Sequence, residues 1–229
     1  MIKIATRRTR KPPAERRDEI VAAACRVALE EGLQSVTLRR VAEMVGIMPG
    51  LVNHYFPVAD DLAATAFAVA AEAERDMVFT AAPQDAGVVW RLRSLLDALY
   101  AEGSDALSLL WLDAWQASRN RPALRAEVDR QMEAWQARLQ ALIAEGVEAG
   151  QFHVSDAAAA AMRILALIDG MSVQAAIPQR MSYQRVRDMV VSNSERELGL
   201  PPGCLGAELP AQKGSPITIS AVEKLSKPA

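Results

Sequence analysis

The 229-residue sequence contains few of the residues from which catalytic and metal sites are built. It has only two histidines and two cysteines, and Cys25 and Cys204 lie far apart. Two isolated cysteines provide neither a disulfide framework nor the spacing of zinc ligands, and no phosphate-binding loop or dinucleotide fingerprint occurs. His153, Ser155 and Asp156 cluster in sequence, but adjacency is not triad geometry, and Ser155 is better explained as a helix N-cap. We therefore expect no metal, no cofactor and no catalytic activity.

Aromatic residues and long apolar runs are scarce as well. Aromatic residues make up 5% of the chain, whereas alanine is abundant, and this composition favours an all-helical fold. No run reaches the roughly 18 apolar residues of a membrane span, and the N-terminus lacks the apolar segment of a signal peptide. We therefore expect a cytoplasmic protein.

Charge is unevenly distributed, although the formal net charge is only −2. Residues 1–17 carry seven basic side chains and one acidic side chain, a net charge of +6. Residues 59–229 carry 16 basic and 22 acidic side chains, a net charge of −6. A basic end joined to an acidic body indicates that only the N-terminal end contacts a polyanion.

The segment from Thr37 to Phe56 has the pattern of two short helices joined by a tight turn. Thr37 is a predicted N-cap, Gly46 can adopt the left-handed conformation that reverses the chain, and Pro49 suits the first turn of a helix. The apolar residues at helical spacing predict a small core; they are Val41, Val45, Val52 and Phe56. This is the build of a helix-turn-helix, whose second helix enters the major groove of DNA.

Basic and polar side chains in and before this motif are the predicted DNA contacts. Asn53 is the best candidate for reading a base, because its amide can pair with adenine in two places, and Leu51 suits a thymine methyl group. A basic arm can follow phosphates or enter the minor groove. Considered alone, Arg39 and Arg40 are also compatible with solvated surface. The complete predicted set is Arg7, Arg8, Arg10, Lys11, Thr37, Arg39, Arg40, Pro49, Gly50, Leu51, Asn53, His54 and Tyr55.

These residues resemble the TetR family of one-component transcriptional regulators. The resemblance rests on Ala23 to Gly32, on Thr37 to Val45 and on Gly46 to Phe56, with Leu62 in the following helix, and it covers about residues 14–65. The segment from Ser155 to Gln174 is similar, less specifically, to the C-terminal domain of the choline-responsive Bet-type repressors. The resemblance implies a homodimer of all-helical subunits, with an N-terminal DNA-binding domain and a larger domain that holds a ligand pocket.

The expected fold class is all-α, with about nine helices. It combines an N-terminal three-helix helix-turn-helix domain with a larger helical ligand-binding and dimerisation domain. The expected domains are a basic flexible arm (1–13), a DNA-binding domain (14–58), an effector-binding and dimerisation domain (59–199) and a mostly disordered tail (200–229). Beyond residue 80, helices are predicted at 84–101, 104–118, 122–149, 156–177 and 181–198.

Two positions depart from the TetR pattern. Met48 stands where the family usually has a Ser or Thr that caps the recognition helix, and Ala59 stands where a Lys is common at the start of the fourth helix. Each change removes an expected phosphate contact. We expect the basic arm to compensate for both.

The tryptophans of the larger domain indicate where an effector binds. Trp111 and Trp115 are one turn apart, and an aromatic cage would suit a cationic or flat aromatic effector, although tryptophans at this spacing are also typical of a core. The predicted effector-binding residues are Trp90, Tyr100, Trp111, Asp113, Trp115, Gln116, Trp135 and Met162. The predicted dimer-interface residues are Ile164, Ile168, Met171, Val173, Ile177, Val186, Met189 and Val190, some of which must instead belong to the intrachain core.

Taken together, these features predict a sequence-specific DNA-binding transcriptional regulator. The favoured form is a homodimeric repressor that a small-molecule effector releases from a near-palindromic, double-stranded operator, with no membrane partner. Two alternatives remain: a transcriptional activator, which uses the same binding chemistry, and an architectural DNA-binding protein without a ligand switch.

Overall fold

The computed structural model describes residues 12–101, 105–176 and 181–206, and every regular element within these ranges is helical. The predicted all-α fold is therefore confirmed for the described part of the chain. Its helices, in chain order, are α1 (Pro13–Glu31), a single 3-10 turn (Leu33–Ser35), α2 (Leu38–Val45), α3 (Pro49–Tyr55), α4 (Ala59–Phe79), α5 (Val88–Leu99), α6 (Asp105–Ser118), α7 (Pro122–Glu148), α8 (Ala157–Ala176) and α9 (Tyr183–Glu197).

The local signals around the helix-turn-helix act as predicted. The Thr37 side chain accepts a hydrogen bond from the backbone N–H of Arg40 at 3.1 Å and so caps α2. Gly46 ends α2 in the left-handed region, with φ 72°, and its N–H donates to the carbonyl of Ala42. Val41 and Val52 are fully buried, and α2 packs against both α1 and α3.

Two clusters of buried apolar side chains fill the interior. The first joins α1, α2, α3 and the first part of α4 to α6 and the start of α7. The second joins the end of α4 and the rest of α7 to α5, α8 and α9. Helix α4 therefore contributes to both clusters, and Trp111 of α6 packs against both.

Helix α8 is unusually apolar for its position in the fold. Within the described ranges it is the one helix long and apolar enough to cross a membrane, with a mean hydropathy of 1.3, yet only 22% of that window is buried inside the subunit. Its buried side packs on α6, α7 and α9, while Met162, Ala166 and Gly170 form an exposed stripe one turn apart. An isolated subunit therefore leaves an apolar helix face exposed to water.

Two details at the C-terminal end differ from expectation. Asp156 is the residue that bonds the first turn of α8, since its Oδ1 accepts a hydrogen bond from the N–H of Ala159 at 3.0 Å; Ser155, the predicted cap, lies one residue earlier. Residues 200–206, assigned to a mostly disordered tail, fold back on α9. The carboxylate of Glu195 accepts hydrogen bonds from the N–H groups of Gly203 and Leu205, and Leu205 is fully buried.

Candidate DNA-binding surface and effector cavity

One side of α3 is exposed in the part of the chain that the structure describes. Pro49, Gly50, Leu51, Asn53 and His54 are exposed, and they include the residues predicted to face the DNA groove. Their exposure follows from the burial of the opposite side of α3, which packs into the first cluster. Tyr55 is half-buried and packs partly against that cluster, so it has less surface available than the others.

The basic residues predicted to bind phosphate differ in how free they are. Arg39 has an 85% exposed side chain and, among the described residues, pairs with Glu43 of its own helix at 2.9 Å. Arg40 forms a two-pronged ion pair with Glu31 of α1, in which its Nε lies 2.9 Å and its Nη2 2.5 Å from carboxylate oxygens. Arg40 therefore ties α2 to α1, and a phosphate would compete with Glu31 for it. Arg7, Arg8, Arg10 and Lys11 lie outside the described residues.

The helices that follow the turn begin without side-chain caps. Met48 occupies the N-cap position of α3. Its side chain is 77% exposed and accepts no hydrogen bond from the first turn of the helix. Val58 precedes α4, whose first residue is Ala59, and it too supplies no capping hydrogen bond. Met48 and Ala59, the two departures from the TetR pattern, thus offer neither a hydroxyl nor an ammonium group to a phosphate.

A cavity of about 170 Å³ lies in the larger helical body. This is similar to the roughly 150 Å³ that holds a benzene-sized molecule, so the space exceeds what a few waters fill. The residues that line it come from α4, α5, α6, α7 and α8 and are Glu74, Leu99, Ser108, Trp111, Trp115, Met132, Trp135, Gln136, Met162, Leu165, Ala166, Ile168, Asp169, Ser172 and Val173.

Three indole rings form much of the cavity wall. The rings of Trp111 and Trp115 lie with centroids 5.7 Å apart at an angle of 44°, and the buried Trp135 contributes from α7. The indole N–H groups of Trp115 and Trp135 are buried and form no hydrogen bond with a described residue. A molecule in the cavity therefore finds mainly aromatic faces, because these two N–H groups are enclosed by the protein and are not exposed to the cavity.

Two carboxyl groups also line the cavity, and the sequence prediction missed both. Glu74 of α4 is buried, and its Oε2 accepts a hydrogen bond from the indole N–H of Trp111 at 2.8 Å. Burial raises the pKa of Glu74 to about 7 and the pKa of Asp169 on α8 to about 6. The signal that would have found Glu74 is a lone carboxylate in the apolar stripe that runs from Phe67 to Val78 along α4.

Four of the eight predicted effector-binding residues line the cavity, namely Trp111, Trp115, Trp135 and Met162. The other four do not. Trp90 and Gln116 are exposed, and Asp113 points away from the cavity, where its Oδ2 accepts a hydrogen bond from the N–H of Leu33 at 3.0 Å. Tyr100 is buried beside the cavity; burial raises its pKa to about 12, and its hydroxyl faces Ser172 without a well-aligned hydrogen bond.

The predicted dimer-interface residues separate into three groups. Ile164, Ile168, Val186 and Val190 are buried within the subunit and belong to its core, because the inner faces of α8 and α9 pack against each other there. Met171 and Val173 are half-buried, Val173 lines the cavity, and Met189 is 39% exposed. Ile177 lies outside the described residues.

The helix-turn-helix and the larger helical body each match the model of a known protein family. Residues 20–66 match the model of bacterial regulatory proteins of the tetR family, and residues 88–199 match the C-terminal domain of the BetI-type transcriptional repressors. The chain belongs to the TetR family. It is therefore a transcriptional regulator with a DNA-binding helix-turn-helix, and not an enzyme.

Its relatives are distant but cover most of the chain. It is 24% identical over 185 residues to the HTH-type transcriptional regulator PksA of Bacillus subtilis, covering 79% of this chain and 89% of PksA. It is 24% identical over 199 residues to the HTH-type transcriptional regulator BetI 1 of Chromohalobacter salexigens, covering 80% and 90%. The crystal structure of a transcriptional regulator from Saccharomonospora viridis in complex with choline shares the fold of this TetR regulator, with a TM-score of 0.70, 24% identity and coverage of 80% and 96%.

Proposed function

We propose that this TetR regulator is a homodimeric repressor that binds a near-palindromic operator in the cytoplasm and is released by a small organic cation. The observation that carries the proposal is the pairing of an exposed recognition face on α3 with a cavity built from indole rings and carboxyl groups. The match of residues 88–199 to the BetI-type repressors favours repression over activation.

Base recognition is assigned mainly to α3. Asn53 is exposed in the middle of the free face, where its amide can make paired hydrogen bonds to adenine. Arg39 and the basic arm supply phosphate contacts, and the arm offsets the missing groups at Met48 and Ala59. Phosphate contacts supply most of the affinity and its salt dependence, whereas Asn53 supplies sequence preference.

A cationic effector is favoured by the chemistry of the cavity wall. Organic cations bind to the faces of Trp rings, and a carboxylate adds direct charge neutralisation. The Saccharomonospora viridis regulator of the same fold was crystallised with choline, a quaternary ammonium of this kind.

Helix α6 links the cavity to the DNA-binding helices. The indole N–H of Trp111 donates a hydrogen bond to Glu74, and its ring packs edge-to-face against Phe67 at a centroid distance of 4.9 Å. Both partners belong to α4, the helix that follows the recognition helix. On the other side of α6, Asp113 accepts the hydrogen bond from Leu33. An effector that repositions Trp111 therefore acts on α4 and on the α1–α2 connection together, and it releases DNA if it prefers that arrangement.

The exposed apolar face of α8 is assigned to the dimer interface. Exposure of Met162, Ala166 and Gly170 on a helix of high hydropathy is costly in a monomer, and the small residues allow a second helix to approach closely. Met162 and Ala166 also line the cavity, so the proposed interface adjoins it. Met189 of α9 is 39% exposed and is assigned to the same interface. A two-fold dimer presents two copies of α3, which favours a near-palindromic site.

The proposed DNA recognition is tested by selecting the DNA fragments that the protein binds from a random pool and then measuring its affinity for the selected site. Asn53→Ala is expected to weaken that site by roughly 1–3 kcal/mol and to relax preference at one base pair in each half-site. Asn120→Ala, an exposed amide in the connection between α6 and α7, is the matched control. Sequence-tolerant binding by the wild-type protein would instead support an architectural role, and a monomer by light scattering at micromolar concentration would count against the dimer.

The proposed effector site is tested with choline and tetramethylammonium as probes. Both are expected to quench tryptophan fluorescence and to release the selected DNA, with the response reduced in Trp111→Phe. A compound that releases DNA while leaving Trp111 and Trp115 unquenched would show that the cavity is not the effector site. A reporter gene behind the selected site distinguishes a repressor from an activator.

A further inference from the structure

The cavity holds two carboxyl groups and, among the described residues that line it, no Lys, Arg or His. Glu74 comes from α4 and Asp169 from α8, so they enter from different walls. Glu74 is 8% exposed, and the side-chain carboxylate of Asp169 accepts no hydrogen bond from a described residue. Two negative charges in a small apolar space repel each other and lose hydration, so the empty cavity favours a neutral carboxyl.

The surroundings of Glu74 supply little positive charge. Burial is the main cause of its raised pKa; the Trp111 hydrogen bond lowers the pKa, the charge of Asp169 raises it, and the charge of Arg75 lowers it. Arg75 is the next residue on α4, but its Nη1 is directed to the side-chain oxygen of Gln131 on α7 at 2.5 Å. The guanidinium is thereby held by another partner and does not pair directly with Glu74.

The other helices around the cavity do not change this balance. From α5 the neighbouring titratable group is Tyr100, whose pKa of about 12 keeps it neutral, and the α7 residues that line the cavity are uncharged. Of the charged residues of α7 near this level, Arg130 pairs with Glu127 and Glu72, Arg138 pairs with Asp76, and Glu133 is exposed. On α8, Arg163 pairs with Glu197 of α9. Protonation of Glu74 and Asp169 therefore sets the charge of the cavity.

We propose that a proton and the effector cation compete for the Glu74–Asp169 pair, so that each cation that enters the empty cavity displaces about one proton. This inference rests on the proposed cationic effector. The exchange is balanced: the protonated cavity plus a cation gives the cation complex and one proton released to solvent. A cation stabilises the ionised carboxylates, and a proton stabilises the empty site, so neither state holds an uncompensated pair of charges.

The consequence is an effector affinity that depends on pH. Because the pKa of Glu74 in the empty cavity is about 7, its ionised fraction rises about tenfold between pH 6 and pH 8. The affinity for a permanent cation is expected to rise by about the same factor and to level off above pH 8. The regulator then needs more effector for release from DNA under acidic conditions than under alkaline ones.

The test is isothermal titration calorimetry of the full-length protein with tetramethylammonium, which has no titratable group. Titrations at pH 6, 7 and 8, each in two buffers of different ionisation enthalpy, give both the affinity and the number of protons released. For each cation bound, the wild-type protein is expected to release close to one proton at pH 6 and almost none at pH 8. Binding is expected to be about tenfold tighter at pH 8. Glu74→Gln should lose most of this dependence, whereas Glu148→Gln, an exposed carboxylate on α7, should keep it.

A ligand-free measurement separates this inference from the proposed function. In the empty protein, protonation of Glu74 alters the hydrogen bond from Trp111, so tryptophan emission is expected to titrate near pH 7 in the wild type and not in Glu74→Gln. Binding of tetramethylammonium with no pH dependence and no proton release would overturn the competition while leaving a cationic effector intact. Failure of tetramethylammonium and choline to bind at any pH would overturn both, and an emission titration identical in wild type and Glu74→Gln would overturn the competition alone.

Discussion

Replacing Asp113 with Ala tests the contact that joins α6 to the connection between α1 and α2. The Asp113 carboxylate accepts a hydrogen bond of 3.0 Å from the backbone N–H of Leu33, a residue that is fully buried. Hydrogen bonds to charged groups contribute about 1.5–3 kcal/mol, and a buried N–H left without an acceptor costs about 1–3 kcal/mol. Because Asp113 is partly exposed to water, we take the lower part of this range and expect a loss of about 1.5–2 kcal/mol in the free energy of unfolding.

The expected loss is measured by thermal and chemical denaturation. For a chain of this size, about 1.5–2 kcal/mol corresponds to a decrease of roughly 3–8 °C in Tm. Asp113→Asn keeps an oxygen acceptor without the charge and should lose less than about 1 kcal/mol. Asp129→Ala, at an exposed aspartate of α7 without a hydrogen bond to a described residue, is the matched control and should change stability by less than about 0.5 kcal/mol.

The same variants report on coupling between the two domains. If Asp113 helps to transmit the effector signal, Asp113→Ala should bind tetramethylammonium as the wild type does but require more of it for release from DNA. Equal stability of Asp113→Ala and Asp129→Ala would refute the assigned role of the Leu33 hydrogen bond. Normal effector release despite a lowered Tm would restrict that role to stability.

Two further substitutions test the packing described above, each by chemical denaturation. Gly46→Ala is expected to destabilise the protein by about 1 kcal/mol, because residue 46 has φ 72° and an L side chain is strained there. Gly50→Ala, where a methyl group meets nothing within 4 Å, is the control. Equal denaturation midpoints for the two variants would contradict backbone strain at residue 46. Gly146→Ala is expected to cost about 1–3 kcal/mol because the new Cβ would lie 2.1 Å from Cδ2 of Phe152, and an unchanged midpoint would mean that this ring moves freely.

The helix-turn-helix was predictable because its signals are local. An N-cap acts within one turn, and the left-handed conformation at Gly46 depends on the residue itself, so Thr37 and Gly46 could be interpreted without any tertiary contact. The position of Asp113 was also predictable in principle. At about 100° per residue, Asp113 points about 200° away from Trp111, whereas Trp115 returns to within about 40° of it.

The missed cavity residues and the dimer interface depend on tertiary packing. The pattern of α4 marks Glu74 as a lone carboxylate on an apolar face, but only the packing of the other helices makes it a cavity residue. Ile164 and Met162 are both apolar residues of α8, yet one is 2% and the other 57% exposed. Apolar periodicity identifies a helix face that avoids water, and it does not say whether the same chain or another covers it.

Helix α4 belongs to both hydrophobic clusters, with its first residues beside the recognition helix and Glu74 at the cavity. Coupling between two binding sites is reciprocal, so an effector that weakens DNA binding by a given factor must itself be bound more weakly by that factor when DNA is present. Under the proposed function, operator DNA therefore inhibits binding of the effector to the cavity. The effector concentration that half-saturates the protein then depends on how much of it is on DNA, and dose–response curves measured without operator will overstate the sensitivity of the bound regulator.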